Sequence, residues 1–210
     1  MLRVEIAGRW SAKDFAEFYG SVNALYSLFA LIEIEQESAY EYERLYREFL
    51  DYYPPALSSP RRSRYFLGVQ RALTGMGHSP IDPSKFRDAA SLLEEEELLA
   101  VRRCEYASPG ATDFTGLGQA LGHVKDVVLK CVDVFVGRRK RELENALLEE
   151  QRDAEALKNV RERINILKSL GYSDTQCRQI LAEVSPAVAK LEALAQRGLI
   201  TNASDVEADG

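Results

Sequence analysis

Histidine, cysteine and tryptophan are scarce in this chain of 210 residues, with two, three and one of each. The histidines, His78 and His123, have no acid, serine or cysteine at a recognisable catalytic spacing, and neither H-x-x-x-H nor C-x-x-C occurs as a zinc-ligand pair. Cys104, Cys131 and Cys177 are odd in number and widely spaced, which excludes a disulfide framework and a close ligand pair. They read as ordinary buried thiols in a reducing cytoplasm. Paired carboxylates for acid and base work are missing as well: Glu33, Glu35 and Glu37 alternate around a helix, and residues 94–97 are one contiguous acidic run. The expectation is a protein that is not an enzyme and needs no cofactor or metal.

Positive charge is also in deficit. A formal charge of -6 and a pI near 5.2 argue against a general nucleic-acid binder, which needs a basic surface or stripe. No basic start followed by an apolar run marks an export signal, and the longest uncharged stretch, residues 18–32, includes Ser21, Asn23 and Ser27. It falls short of the roughly 20 apolar residues that span a bilayer. A bacterial-type cytoplasmic protein without a membrane partner is expected.

What remains is ordinary material for a globular core, 46% hydrophobic and 29% charged. Leu2, Val4 and Ile6 alternate as a strand. A helix comes next, with Ser11 as its N-cap and Asp14 closing a short capping box. It is apolar nearly all round from Phe18 to Ile34, which requires burial on more than one face. From Ser38 the pattern is amphipathic, carrying Tyr42, Leu45, Tyr46 and Phe49 on one stripe; either the first helix continues or a second begins there. Pro54 and Pro55 end it. Residues 54–83 hold five of the seven prolines and form the main irregular segment. Asp82 and Pro83 then restart a helix that runs into residues 94–97.

Residues 98–131 echo residues 2–32: a strand at 98–106, a turn, and a helix opening at Ala111, Thr112, Asp113 and Phe114. An offset of 99 aligns Phe15 with Phe114, Phe18 with Leu117, Val22 with Leu121, Leu25 with Val124 and Phe29 with Val128. Helical periodicity then continues from about Phe114 to Leu170. Residues 138–163 carry 15 charges in 26 positions and should project from the body. Leu143, Leu147, Ala154, Leu157, Ile164 and Leu167 form a near-heptad seam along this arm, interrupted by Glu150 and Arg161. Gly171 stops the helix, Ser173 or Asp174 caps a returning one, and Pro186 should kink or split it.

The fold expected is predominantly helical α+β. It has a body at 1–137, with an irregular loop at 54–83, a helical hairpin arm at 138–202, and a disordered acidic tail at 203–210. Two features invite a ligand. Arg61, Arg62, Arg64 and Arg71, beside Tyr65 and Phe66, can grip a phosphate or stack on a base. The Gly-rich helix start at Gly116 and Gly118 sits where a phosphate loop would lie, although Leu121 breaks the G-x-G-x-x-G spacing; close helix packing is its plainer explanation. Tyrosines 40, 42, 46, 52 and 53 supply partner-binding material or half-buried core. The leading expectation is a homo-oligomerising adaptor or scaffold, with a protein partner, assembled through the C-terminal arm. Behind it stand a sensor for a nucleotide or other anionic ligand, and a nucleic-acid subunit working through residues 138–141.

Overall fold

The computed structural model describes residues 1–52, 81–107, 109–141 and 147–207; side-chain surroundings are excluded at 42, 43, 46, 49–52, 87, 134–141 and 147–157. The protein is predominantly helical with a small antiparallel sheet. Strands β1 (Leu2–Ile6), β2 (Ala100–Glu105), β3 (Gly110–Thr115) and β4 (Ile200–Asp205) lie in the order β2-β3-β1-β4. Helices α1 (Ala12–Tyr52), α2 (Gly118–Arg141), α3 (Leu147–Ser169) and α4 (Asp174–Gln196) supply the rest, with 3₁₀ turns at Pro83–Leu92 and Glu95–Glu97.

The alternation in β1 sorts its side chains as the period of two requires: Leu2, Val4 and Ile6 are fully buried under the helices. Arg3 and Glu5 point to the other face. There Arg3 meets its cross-strand neighbour Asp113 through two parallel bonds of 2.7 Å. The guanidinium holds the Asp113 carboxyl below the usual carboxylate range.

Helix α1 is the centre of the core and continues unbroken through Ser38. Its opening is the expected reciprocal cap, with the Ser11 amide donating to Asp14 at 2.8 Å and the Asp14 amide donating to Ser11 Oγ at 3.2 Å. Asp14 also receives Arg197 from beyond the end of α4, which drives its pKa far down. By length and composition residues 12–41 would suffice to cross a membrane. In the fold Phe18, Val22, Leu25, Tyr26, Leu28 and Phe29 are instead enclosed by protein, so the apolar run is accounted for as a core helix.

Several expectations fail for identifiable reasons. Ala100–Glu105 and Gly110–Thr115 pair antiparallel as β2 and β3, so Ala111, Thr112, Asp113 and Phe114 are strand residues and no helix opens there. The chain reverses too tightly at Gly110 for any side chain; a Cβ would sit 2.8 Å from the Ala107 amide nitrogen. A Ser-Pro-Gly sequence closes a hairpin as readily as it links strand to helix. The echo therefore survives only in the helices, where Leu121, Val124 and Val128 are buried as Val22, Leu25 and Phe29 are. The 82–93 helix is a kinked 3₁₀ segment broken at Asp88, though Asp82 caps it as expected.

The long helix is not one rod. His123 and Asp126 of α2 share a small cavity with Asn159, Glu162 and Arg163 of α3, so the chain doubles back between them. The supposed arm is folded onto the body: Val160, Ile164 and Leu167 of α3 and Ile180, Val184, Val188 and Leu191 of α4 all belong to the core. Pro186 does not split α4, because buried Val184, Ala187 and Val188 pin both sides of it. Residues 203–205 are not a frayed tail. They end β4, where Val4 pairs with Ala203 and Leu2 with Asp205. Alternation there is weak, with Thr201, Asn202 and Ser204 giving no strand pattern in isolation.

Replacing Arg3 by Met should destabilise the protein by about 3 kcal/mol near neutral pH, because Asp113, with its side chain 5% exposed, loses its bidentate partner. Asp113 titrates below its unfolded value, so the Arg3 contribution is present above about pH 4 and is lost as pH falls further. Denaturant melts at pH 7 and pH 3 should show the wild-type and variant curves converging at the lower pH.

Candidate functional site

The Gly-rich helix start is occupied by the protein itself. Tyr26, one turn inside the buried part of α1, accepts the Leu117 amide at 2.8 Å and donates to the Glu97 carbonyl at 2.6 Å. Its ring lies directly over Gly116, where a Cβ would come within 2.6 Å of Cζ. Glu33, two turns further along α1, accepts the Ala120 amide, while burial pushes its carboxyl pKa upward. The Leu117 and Ala120 amides at the start of α2 are thus taken by a phenol and a carboxylate from α1, in the place an external anion would take. Gly118 has open space beside it. The packing reading accounts for Gly116, whose place for a side chain is filled by Tyr26.

Arg61, Arg62, Arg64 and Arg71 lie outside the described residues, as does Leu143. Leu147, Ala154 and Leu157 are on α3 and Tyr42 and Tyr46 on α1, and their side-chain surroundings are likewise outside the description. Ile164 and Leu167 are 2% and 0% exposed. They are committed to the interior and cannot form the outward seam of an assembling arm. Tyr40 is 70% exposed and Leu45 is exposed too, so this part of α1 presents apolar surface outside the core.

The more informative surface is β2. It is an edge strand, and all six of its residues are exposed. Val101 pairs with Phe114 and Cys104 with Thr112, two residues buried beneath the helices, so Val101 and Cys104 also face the helix side. Val101 is nevertheless 49% exposed, and Leu98 and Tyr106 beside the strand are exposed as well. Cys104 corrects the expectation of three buried thiols: its sulfur receives the Tyr19 hydroxyl at 3.2 Å but remains accessible, whereas Cys131 and Cys177 are enclosed. Arg103 and Glu105 form an ion pair on the outer face of the same strand. A register shift between Val101 and Arg103 leaves Arg102 as a bulge, which interrupts the edge and confines regular pairing to its second half.

A cavity of about 310 Å³ lies between α3 and α4, with Arg161, Lys168 and Arg178 at its rim and buried Ile164 and Cys177 on its floor. Among the described residues, no group of three or more His, Cys, Asp or Glu side chains is placed to hold a metal ion. His123 is held between Phe29 and Arg163, and burial together with that guanidinium keeps it below the ordinary histidine pKa. The chain matches no known family, curated protein or solved structure.

Neither β2 nor this cavity was singled out in the sequence. For β2, the signal was masked by reading one strand where there are two. For the cavity, the signal was available: Arg161, Ile164, Asn165 and Lys168, then Asp174, Cys177, Arg178 and Leu181, each run with intervals of three, one and three. That spacing puts each quartet on one helix face.

Gly116→Ala should cost about 1–3 kcal/mol through collision with the Tyr26 ring, while Gly118→Ala should cost nothing or raise stability by up to about 1 kcal/mol. Equilibrium unfolding of the two variants in parallel checks this contrast. Equal, small effects would mean the Tyr26 ring does not sit over Gly116.

Proposed function

We propose that this protein is a non-enzymatic, self-associating interaction module, joined to a second copy through the edge of β2. The reading keeps the homo-oligomeric adaptor expected from the sequence and moves its interface from the helical arm to the sheet. The observation that carries it is that the helix-facing side of β2 is only partly covered: Tyr19 and Phe15 of α1 reach Cys104 and Tyr106, yet Val101, Cys104, Leu98 and Tyr106 all stay exposed. Apolar surface in contact with an unpaired strand edge is costly to leave in water, and native proteins usually blunt it or cover it.

The charges on β2 select a second copy as the cover. Antiparallel pairing of two β2 strands about a dyad at Cys104 sets Arg103 opposite Glu105 of the second copy, and Glu105 opposite its Arg103. Two opposite-charge cross-strand pairs then share one face. On the other face the two Cys104 side chains meet, and Arg102 lies across from Tyr106. A dyad contact of this kind is self-complementary and closes at two subunits. The bulge at Arg102 hinders strands that would pair along the whole edge, so the same strand resists indiscriminate addition. The exposed Tyr40 and Leu45 on α1 remain available for a different protein partner.

Native mass spectrometry of the full chain should give twice the 23.6 kDa chain mass at tens of micromolar. Arg103→Glu should shift the population to monomer by placing like charges opposite each other, and Arg103→Glu with Glu105→Arg should restore the dimer. A monomeric wild type, or a charge reversal that leaves the dimer intact, would sink the β2 pairing.

A further inference from the structure

The groove between α3 and α4 has a composition unlike the rest of this acidic chain. The helices run back against each other across the Gly171 turn, and each gives the cavity residues at i, i+3, i+4 and i+7. The floor is apolar, formed by Ile164 and Cys177, which are almost fully buried, and by half-buried Leu181. At the rim stand three cations, Arg161, Lys168 and Arg178, against one acid, Asp174. In a chain of formal charge -6 this local excess of positive charge is not explained by average composition.

The acid does not neutralise the cations evenly. Asp174 is engaged with Lys168 at 2.7 Å, and that ammonium holds its carboxyl below the ordinary range. Arg178 donates to the Asp174 backbone carbonyl through Nε at 3.3 Å. That contact orients the guanidinium and leaves its terminal nitrogens for another acceptor. Arg161, one helix face across, has no ion-pair partner among the described residues. Two guanidinium groups from facing helices, backed by an ammonium, are a fitting donor set for a phosphate, because planar forks can each give paired bonds to its oxygens.

We infer that the α3–α4 groove binds a small organic monophosphate, its phosphate held by Arg161, Arg178 and Lys168 and its apolar body resting on Ile164, Cys177 and Leu181. The volume of about 310 Å³ is at the lower end of small-ligand sites and exceeds what a bare phosphate fills. The net negative charge of the chain disfavours long polyanions while leaving this basic groove attractive to a compact one. Asn165 at the same rim can donate to or accept from a polar group on the body. The site is separate from β2, so it stands or falls independently of self-association.

Isothermal titration of the full chain at low ionic strength with phenyl phosphate tests the inference, with inorganic phosphate and phenol as its two halves. The expected result is one site per chain for phenyl phosphate, at least about tenfold tighter than either half and weakened by added salt. Arg161→Gln with Arg178→Gln should weaken it at least about tenfold. Leu181→Trp should do the same with every charge retained, and Lys13→Gln, a distant exposed cation, should not. Circular-dichroism melts identify folded variants, and the arginine pair and Leu181 supply separate routes to the answer. The inference is overturned by the absence of saturable heat, by inorganic phosphate binding equally well, or by equal weakening in Lys13→Gln.

Discussion

A helix that is apolar on all sides cannot be stable until every side is covered, and the described fold is organised around meeting that demand for the first part of α1. The sheet shields one flank with Leu2, Val4 and Phe114, and α2 and α4 shield others with Val124, Val128, Ile180 and Leu191. The 3₁₀ segment adds Phe86 and Ala89. The sheet and the 3₁₀ segment are short or irregular, whereas α2 and α4 are full-length helices that each turn one apolar face inward. Their mutual arrangement results from sharing α1 as the common surface. Where that need ends, near Gln36, the residues of α1 whose surroundings are described become exposed, apart from half-buried Ala39.

Several polar groups within this shell are answered from inside the chain, although the buried Ser21 and Ser27 hydroxyls of α1 are not. Tyr26 bridges the Leu117 amide and the Glu97 carbonyl, and Glu33 accepts the Ala120 amide in the first turn of α2. Tyr172, at the turn between α3 and α4, accepts the Ile81 amide at 2.7 Å and donates to buried Glu35 at 3.2 Å. Asp14 joins the start of α1 to Arg197 after α4. A buried polar group left unmet costs about 1–3 kcal/mol, so these bonds constrain which elements can be neighbours, even where the net gain from each is small.

Elements with strong local chemistry were legible in the sequence. Ser11 with Asp14, Asp82 with Pro83, and Gly171 with Ser173 marked real boundaries, because a cap or a left-handed glycine is decided within a few residues. The class of fold was legible from periodicity and was correct. The failures concern information that is not local. Ser-Pro-Gly says that the chain turns but not whether a strand or a helix lies beyond the turn. A heptad-like row at Ile164 and Leu167 says that one face is apolar but not whether its cover is the same chain. For the candidate sites, rows of arginine drew attention in the sequence, whereas the cations of the groove are dispersed among apolar residues and converge only once α3 and α4 are side by side.

The pairing of β1 with β4 has a consequence for how the fold is reached. Residues 2–6 find one neighbour in β3 and the other in residues 200–205, nearly the full length of the chain away. Closing so long a loop is entropically expensive and is rewarded only when both strands are in register. The helices and the β2–β3 hairpin can organise through nearby contacts, but β1 keeps one side open until the far segment arrives. The hydrophobic Leu2, Val4 and Ile6 therefore spend the early part of folding on an incomplete sheet, a period during which another chain competes with β4 for the same edge.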